Sequence, residues 1–129
     1  MKEITKQLIK EFKLKELGYD MMGYGKQGDI YTAHHLLVPA REGGKLTWEN
    51  TAVLFETPHN YLHLIECKDF EIFSFVTSEI YDMKIKGYLD SENLHYIDDA
   101  LKVFEREHSG DTTKKGKPLI KEQFTRRKF

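Results

Sequence analysis

A short run of a threonine and four apolar residues, Thr51-Ala-Val-Leu-Phe55, sits between the glycine pair Gly43-Gly44 and the step Thr57-Pro58, and this bracketing limits the folds open to the chain. Such a run is short for a helix and long enough for a buried strand. Threonine followed by proline suits a helix N-cap and first helical position, because the threonine oxygen can accept an orphan amide and proline has none to orphan. The spacing predicts a short strand and then a helix from residue 59 to about 66. Upstream, residues 30–38 are rich in β-branched and bulky side chains and read as another strand running into Pro39, with Arg41-Glu-Gly-Gly44 as the turn between the two.

Helical periodicity governs much of the remainder. In residues 2–17 the apolar positions Ile4, Leu8, Phe12 and Leu14 lie close to helical spacing, and Gly18 ends the pattern. Residues 18–28 hold glycines at 18, 23, 25 and 28 with Tyr19 and Tyr24 among them, which reads as an irregular loop. The GYGKQG run inside it lacks the Lys-Ser/Thr ending and the preceding buried strand of a phosphate loop. Asp69 can cap a helix carrying Phe73, Val76, Ile80 and Met83 as far as Gly87. A last helix starts at Asp90 or Ser91 and places Leu94, Ile97, Leu101 and Phe104 on one face up to His108. The expected class is α+β, with a mostly helical C-terminal half.

At 129 residues, 40% hydrophobic and 32% charged, the chain has the composition of one ordinary globular domain. That domain is expected over residues 1–108, followed by a basic tail at 109–129, where seven Lys and Arg oppose Asp111 and Glu122. The formal net charge of −1 gives no whole-molecule attraction to a polyanion, so any attraction must be local. A single cysteine, Cys67, excludes an internal disulfide framework and zinc knuckles built from paired cysteines. No apolar run approaches bilayer length, and the lysine-rich amphipathic start is unlike a secretory signal, so a cytoplasmic location is the expectation.

Four of the six histidines fall between residues 34 and 63. His59 and His63, four apart on a predicted helix, share one face, and an i, i+4 pair of imidazoles is a natural chelate for a divalent ion. Taken alone, such a pair reads more readily as a half-buried surface feature. His34 and His35 are adjacent at a strand end, where alternation sends them to opposite faces. A third imidazole from the strand would complete a facial set with positions open to water and substrate. His95 and His108 lie on a charged helix and are given no role.

The order His34-His35, Asn50, His59, His63, with Pro39 and the Gly43-Gly44 turn between, resembles the HNH nuclease motif. The spacing is most similar to the nuclease domains of DNA-degrading colicins and related bacterial toxins. The resemblance covers residues 31–66, about a quarter of the chain. It implies the ββα-metal fold, in which two antiparallel strands, the first bearing the histidine pair, pack on a helix holding the last ligands. It also implies His34, His59 and His63 as metal ligands, and His35 and Asn50 as the catalytic positions. His35 would be the general base, and Asn50 would bond across the loop so as to hold the His35 strand.

The implied activity is metal-dependent endonucleolytic hydrolysis of nucleic acid, DNA being the expected polymer, with one divalent ion. Imidazoles favour Zn²⁺ or Ni²⁺, while Mg²⁺ or Mn²⁺ stay open. Two adjacent histidines suit this chemistry, since one can bind the ion while the other, with a pKa near neutrality, takes a proton from water. The flanking cysteine pairs of many relatives are absent here, so surrounding helices must stabilise the core. No arginine precedes His34, leaving Arg41, Lys45 and the tail residues Lys114, Lys115, Lys117, Arg126 and Arg127 as candidate phosphate contacts. With no export signal, a phage or mobile-element nuclease is expected ahead of a toxin domain. The competing reading is a non-catalytic, metal-stabilised nucleic-acid-binding module, which would have no use for an uncoordinated histidine beside its ligand.

Overall fold

The computed structural model describes residues 3–25, 30–37 and 42–108. Within them the chain is α+β: helices α1 (Glu3–Phe12) and α2 (Leu14–Leu17), strands β1 (Tyr31–His35) and β2 (Thr51–Phe55), then helices α3 (Glu56–Lys68), α4 (Phe70–Lys86) and α5 (Ser91–Glu107). The strands form one antiparallel pair in which Ala33 faces Val53, His34 faces Ala52 and His35 faces Thr51. No helix among the described residues is long and apolar enough to cross a membrane.

The helix expected over residues 2–17 is broken at Lys13, whose φ of 54° places it in the left-handed region. The break follows from packing. Phe12 and Leu14 are both buried, yet two positions apart on one helix they would point about 200° away from each other. One left-handed residue, costing about 1 kcal/mol, turns both inward.

Strand β2 is buried along its whole length. β1 covers one edge, α1 packs against it, and the glycine-rich loop serves the other edge in place of a third strand. There the Met21 amide donates to the Val53 carbonyl at 2.9 Å. Asp20, with no exposed surface, accepts from the amides of Met22 and Tyr24 through Oδ1, at 2.9 and 3.0 Å, and from the Phe55 amide through Oδ2, at 3.1 Å. A carboxylate, which can accept several hydrogen bonds, thus ties the loop to the strand and closes an edge that would otherwise be open. The Tyr31 hydroxyl donates to the carbonyls of Leu14 and Tyr19, and burial followed by the Asp20 charge pushes its pKa up to about 12.

The strand upstream is shorter than residues 30–38. It ends at His35, beyond which the chain bends, and Val38 and Pro39 lie outside the described residues. The expected Thr57 cap is corrected as well. Helix α3 begins at Glu56, its N-cap is Phe55, and no side chain caps it. The Glu56 amide is already satisfied by the Ile30 carbonyl at 3.0 Å, so β2 passes into α3 with no intervening residue. Pro58 still falls in the first turn, where a missing amide costs nothing.

Asp69 and Asp90 cap α4 and α5 by accepting from the amides of Ile72 and Glu92, and Gly87, at φ 85°, closes α4 in the left-handed conformation that favours glycine. α4 and α5 pack as an antiparallel hairpin, with α3 against α4. The Tyr61 ring meets Phe104 edge to face at 5.9 Å. Lys84, buried in α4, sits 4.4 Å over the Trp48 ring and so clamps the loop between the strands to this layer. Burial pushes the Lys84 amine down to about 8, partly opposed by the charge of Glu49.

Candidate metal centre

His34 stands on β1 with 1% of its surface exposed, and His59 and His63 project from α3 one turn apart. The fold brings one ligand atom from each of these three to within 4.8 Å of the others. The His34 ring meets those of His59 and His63 at 5.2 and 5.7 Å between centroids, and His59 and His63 lie 4.5 Å apart.

Hydrogen bonding decides which nitrogens are available. Thr32 Oγ1 donates its only proton to the Leu54 carbonyl at 2.7 Å. At 2.7 Å from His59 Nδ1 it can therefore only accept, so that Nδ1 carries the proton and His59 Nε2 holds a lone pair. A carboxylate oxygen of Glu66 lies 3.2 Å from His63 Nδ1 and assigns that proton the same way. The two Nε2 atoms then face each other at 2.9 Å. Two lone pairs facing at that distance would be satisfied by a shared proton or by a cation. Bonds of about 2.0–2.1 Å from one ion span N···N separations of about 2.9 Å at a right angle and about 3.4 Å at the tetrahedral angle. On His34, Nε2 lies 3.5 Å from Thr77 Oγ1, while the buried Nδ1 has no hydrogen-bond partner. A ring nitrogen of His34 converges with the donor atoms of His59 and His63, and the three make a set that fits a divalent ion.

The electrostatics keep His34 and His59 neutral. Burial drives the His34 pKa well below the usual histidine value, with His59, His63 and His35 adding repulsion. His59 is lowered to about 4, again first by burial and then by His63 and His35. Such imidazoles offer lone pairs at neutral pH without having to lose a proton first.

His35, half-buried at the end of β1, is not among the three converging donors. The residue nevertheless lines the same cavity, of about 700 Å³, onto which His34, His59 and His63 open. Asn50 is buried. Its Oδ1 accepts from the Leu37 amide at 2.7 Å, its Nδ2 donates to the Lys45 carbonyl at 3.1 Å, and its own carbonyl accepts from Leu36 at 2.8 Å. It thereby holds the chain immediately after His35. Lys45 is exposed and does not line the cavity. Arg41, Lys114, Lys115, Lys117, Arg126 and Arg127 lie outside the described residues.

His95, given no role from the sequence, lies 3.3 Å from Asp99 one turn on, as an exposed pair. A second grouping, Asp69, Glu107 and His108, also brings donor atoms within 4.8 Å, but Asp69 is engaged there in capping α4.

Sequence reasoning passed over the partners of the imidazoles. Two were legible: Thr32 shares the strand face of His34, two positions away, and Glu66 follows His63 by three on a helix. Thr77, 43 residues from His34, gave no signal. Replacing Thr32 by valine, equal in shape but unable to accept the Nδ1 proton, is expected to weaken Zn²⁺ binding about 10- to 100-fold by calorimetry with the fold retained. Unchanged affinity would show that the threonine does not set the tautomer.

Compared with protein-family models, curated proteins and solved structures, the chain matches none.

Proposed function

We propose that this chain is a metal-dependent endonuclease of the HNH type, with β1, β2 and α3 as a ββα-metal core, hydrolysing phosphodiester bonds of nucleic acid and of DNA first. The observation that carries the reading is the donor set: two tautomer-locked Nε2 atoms 2.9 Å apart and a ring nitrogen of the buried His34 on the strand beside them. In this reading His34, His59 and His63 hold one divalent ion. Such an ion, when bound, supplies Lewis acidity toward the phosphoryl oxygen and the leaving alkoxide.

The chain's own residues supply the rest. His35 takes a proton from the attacking water on one ring nitrogen. Asn50 fixes the backbone that follows His35, so the ring stays where the water must be. Phe73, edge-on to His34 at 5.9 Å, and Leu36 shield the inner wall of the cavity from bulk water. The residues up to 108 carry thirteen Lys and Arg against nineteen Asp and Glu, a formal net charge of −6, so long-range attraction to a polyanion falls to the basic tail.

The test is incubation with supercoiled and with single-stranded circular DNA in Mg²⁺, Mn²⁺, Ni²⁺ or Zn²⁺, with and without chelator. Cleavage that appears with an ion, stops with chelator and is lost in His59→Ala is the expected result. Ion binding without cleavage of either substrate under any condition would leave a metal-stabilised binding module in its place.

A further inference from the structure

The cavity at the imidazole triad is walled on one side by a single face of α4: Phe70, Phe73, Ser74, Thr77, Ser78 and Tyr81. Their spacing of i, i+3, i+4, i+7, i+8 and i+11 makes one stripe, about 16 Å long at 1.5 Å per residue. Rings stand at both ends and hydroxyls between them. Phe70 is 60% exposed although it is a large apolar side chain, and it forms a step with Phe73 at 5.7 Å between ring centroids. Among the described residues no lysine or arginine lines this cavity, and the ionisable side chains besides the histidines and Tyr81 are the acids Glu42 and Glu66.

A duplex presents two phosphate rows and hides its base faces, so it is held mainly by cations along the contact. A wall of rings and hydroxyls with acids beside it is poorly suited to that. An unpaired strand also needs cations for its backbone, which here fall to the basic tail, but unlike a duplex it exposes base faces that stack on aromatic rings with little regard to sequence. We propose that this face of α4 is a track for a single-stranded nucleic-acid segment, its bases stacking on Phe70 and Tyr81 while Ser74 and Ser78 face the sugar–phosphate backbone that leads to the triad. The inference rests on the nuclease reading only in taking nucleic acid as the ligand.

The test is equilibrium binding by fluorescence anisotropy, in chelator so that nothing is cut, using a labelled single-stranded DNA oligonucleotide and the duplex of the same sequence. The full chain is expected to bind the single strand more tightly. Phe70→Ala and Tyr81→Ala should each weaken that binding about 5- to 150-fold, the range for loss of one stacked base, and Phe70→Trp should restore it. Because stacking releases no counterions, the salt dependence of binding should keep its slope in the alanine variants. Equal or tighter duplex binding, or single-strand binding indifferent to both rings, would overturn the track. Ring-dependent binding by a protein that cuts nothing with any ion would uphold the track and sink the hydrolytic function, so the two failures are distinct.

Discussion

His35→Ala is expected to lower DNA cleavage about 10²- to 10⁴-fold while leaving ion binding as it was. The histidine ends β1, lines the cavity of the triad and stays outside the cluster of three converging donors. Its loss removes a proton acceptor and no ligand. The check pairs a cleavage assay with thermal melting in the presence and absence of Zn²⁺, since an ion bound to the folded state alone raises stability, by about 2.7 kcal/mol at a hundred times its dissociation constant. His35→Ala should keep that rise and lose the cleavage, with free imidazole restoring part of the rate. His34→Ala should lose both. If His35→Ala instead abolishes the metal-dependent rise, the two adjacent histidines have exchanged roles.

Asp20→Ala is expected to be the most destabilising single change in the N-terminal third, by about 3–5 kcal/mol. The carboxylate is fully buried and accepts from three amides in two segments far apart in sequence. Alanine leaves those amides unsatisfied in a place water does not reach, and hydrogen bonds to a charged acceptor contribute about 1.5–3 kcal/mol each. For a chain of this size a melting temperature lower by roughly 10–20 °C follows. Asp20→Asn, with a single acceptor oxygen, should fall between the two. A shift under about 1 kcal/mol would mean the loop closes the edge of β2 by backbone contacts alone. The variant also bears on the site, because the Phe55 amide that Asp20 holds immediately precedes α3 and its two histidines.

Local chemistry in the sequence already determined β2, α4 and α5. The apolar residues of β2, Asp69 and Asp90 as N-caps and Gly87 as a C-cap each act within a few residues of themselves, and turn chemistry and helical period express such preferences directly. The i, i+4 spacing of His59 and His63 is likewise a property of one helix, whatever surrounds it.

What needed the tertiary structure was everything fixed by partners distant in the chain. Glu56 replaced Thr57 at the start of α3 because its amide found the Ile30 carbonyl across the sheet. Lys13 broke the first helix because the core required both Phe12 and Leu14. A glycine-rich stretch that reads as a bare loop closes a sheet edge through one aspartate. At the candidate site, the ring protons of His59 and His63 are set by Thr32 and Glu66, and the cavity wall comes from α4, outside the His-Asn-His motif. A sequence fixes local torsional preference and periodicity. Which lone pair faces which, and whether a cation is wanted between them, depends on distances of about 3 Å between segments that only the folded chain brings together.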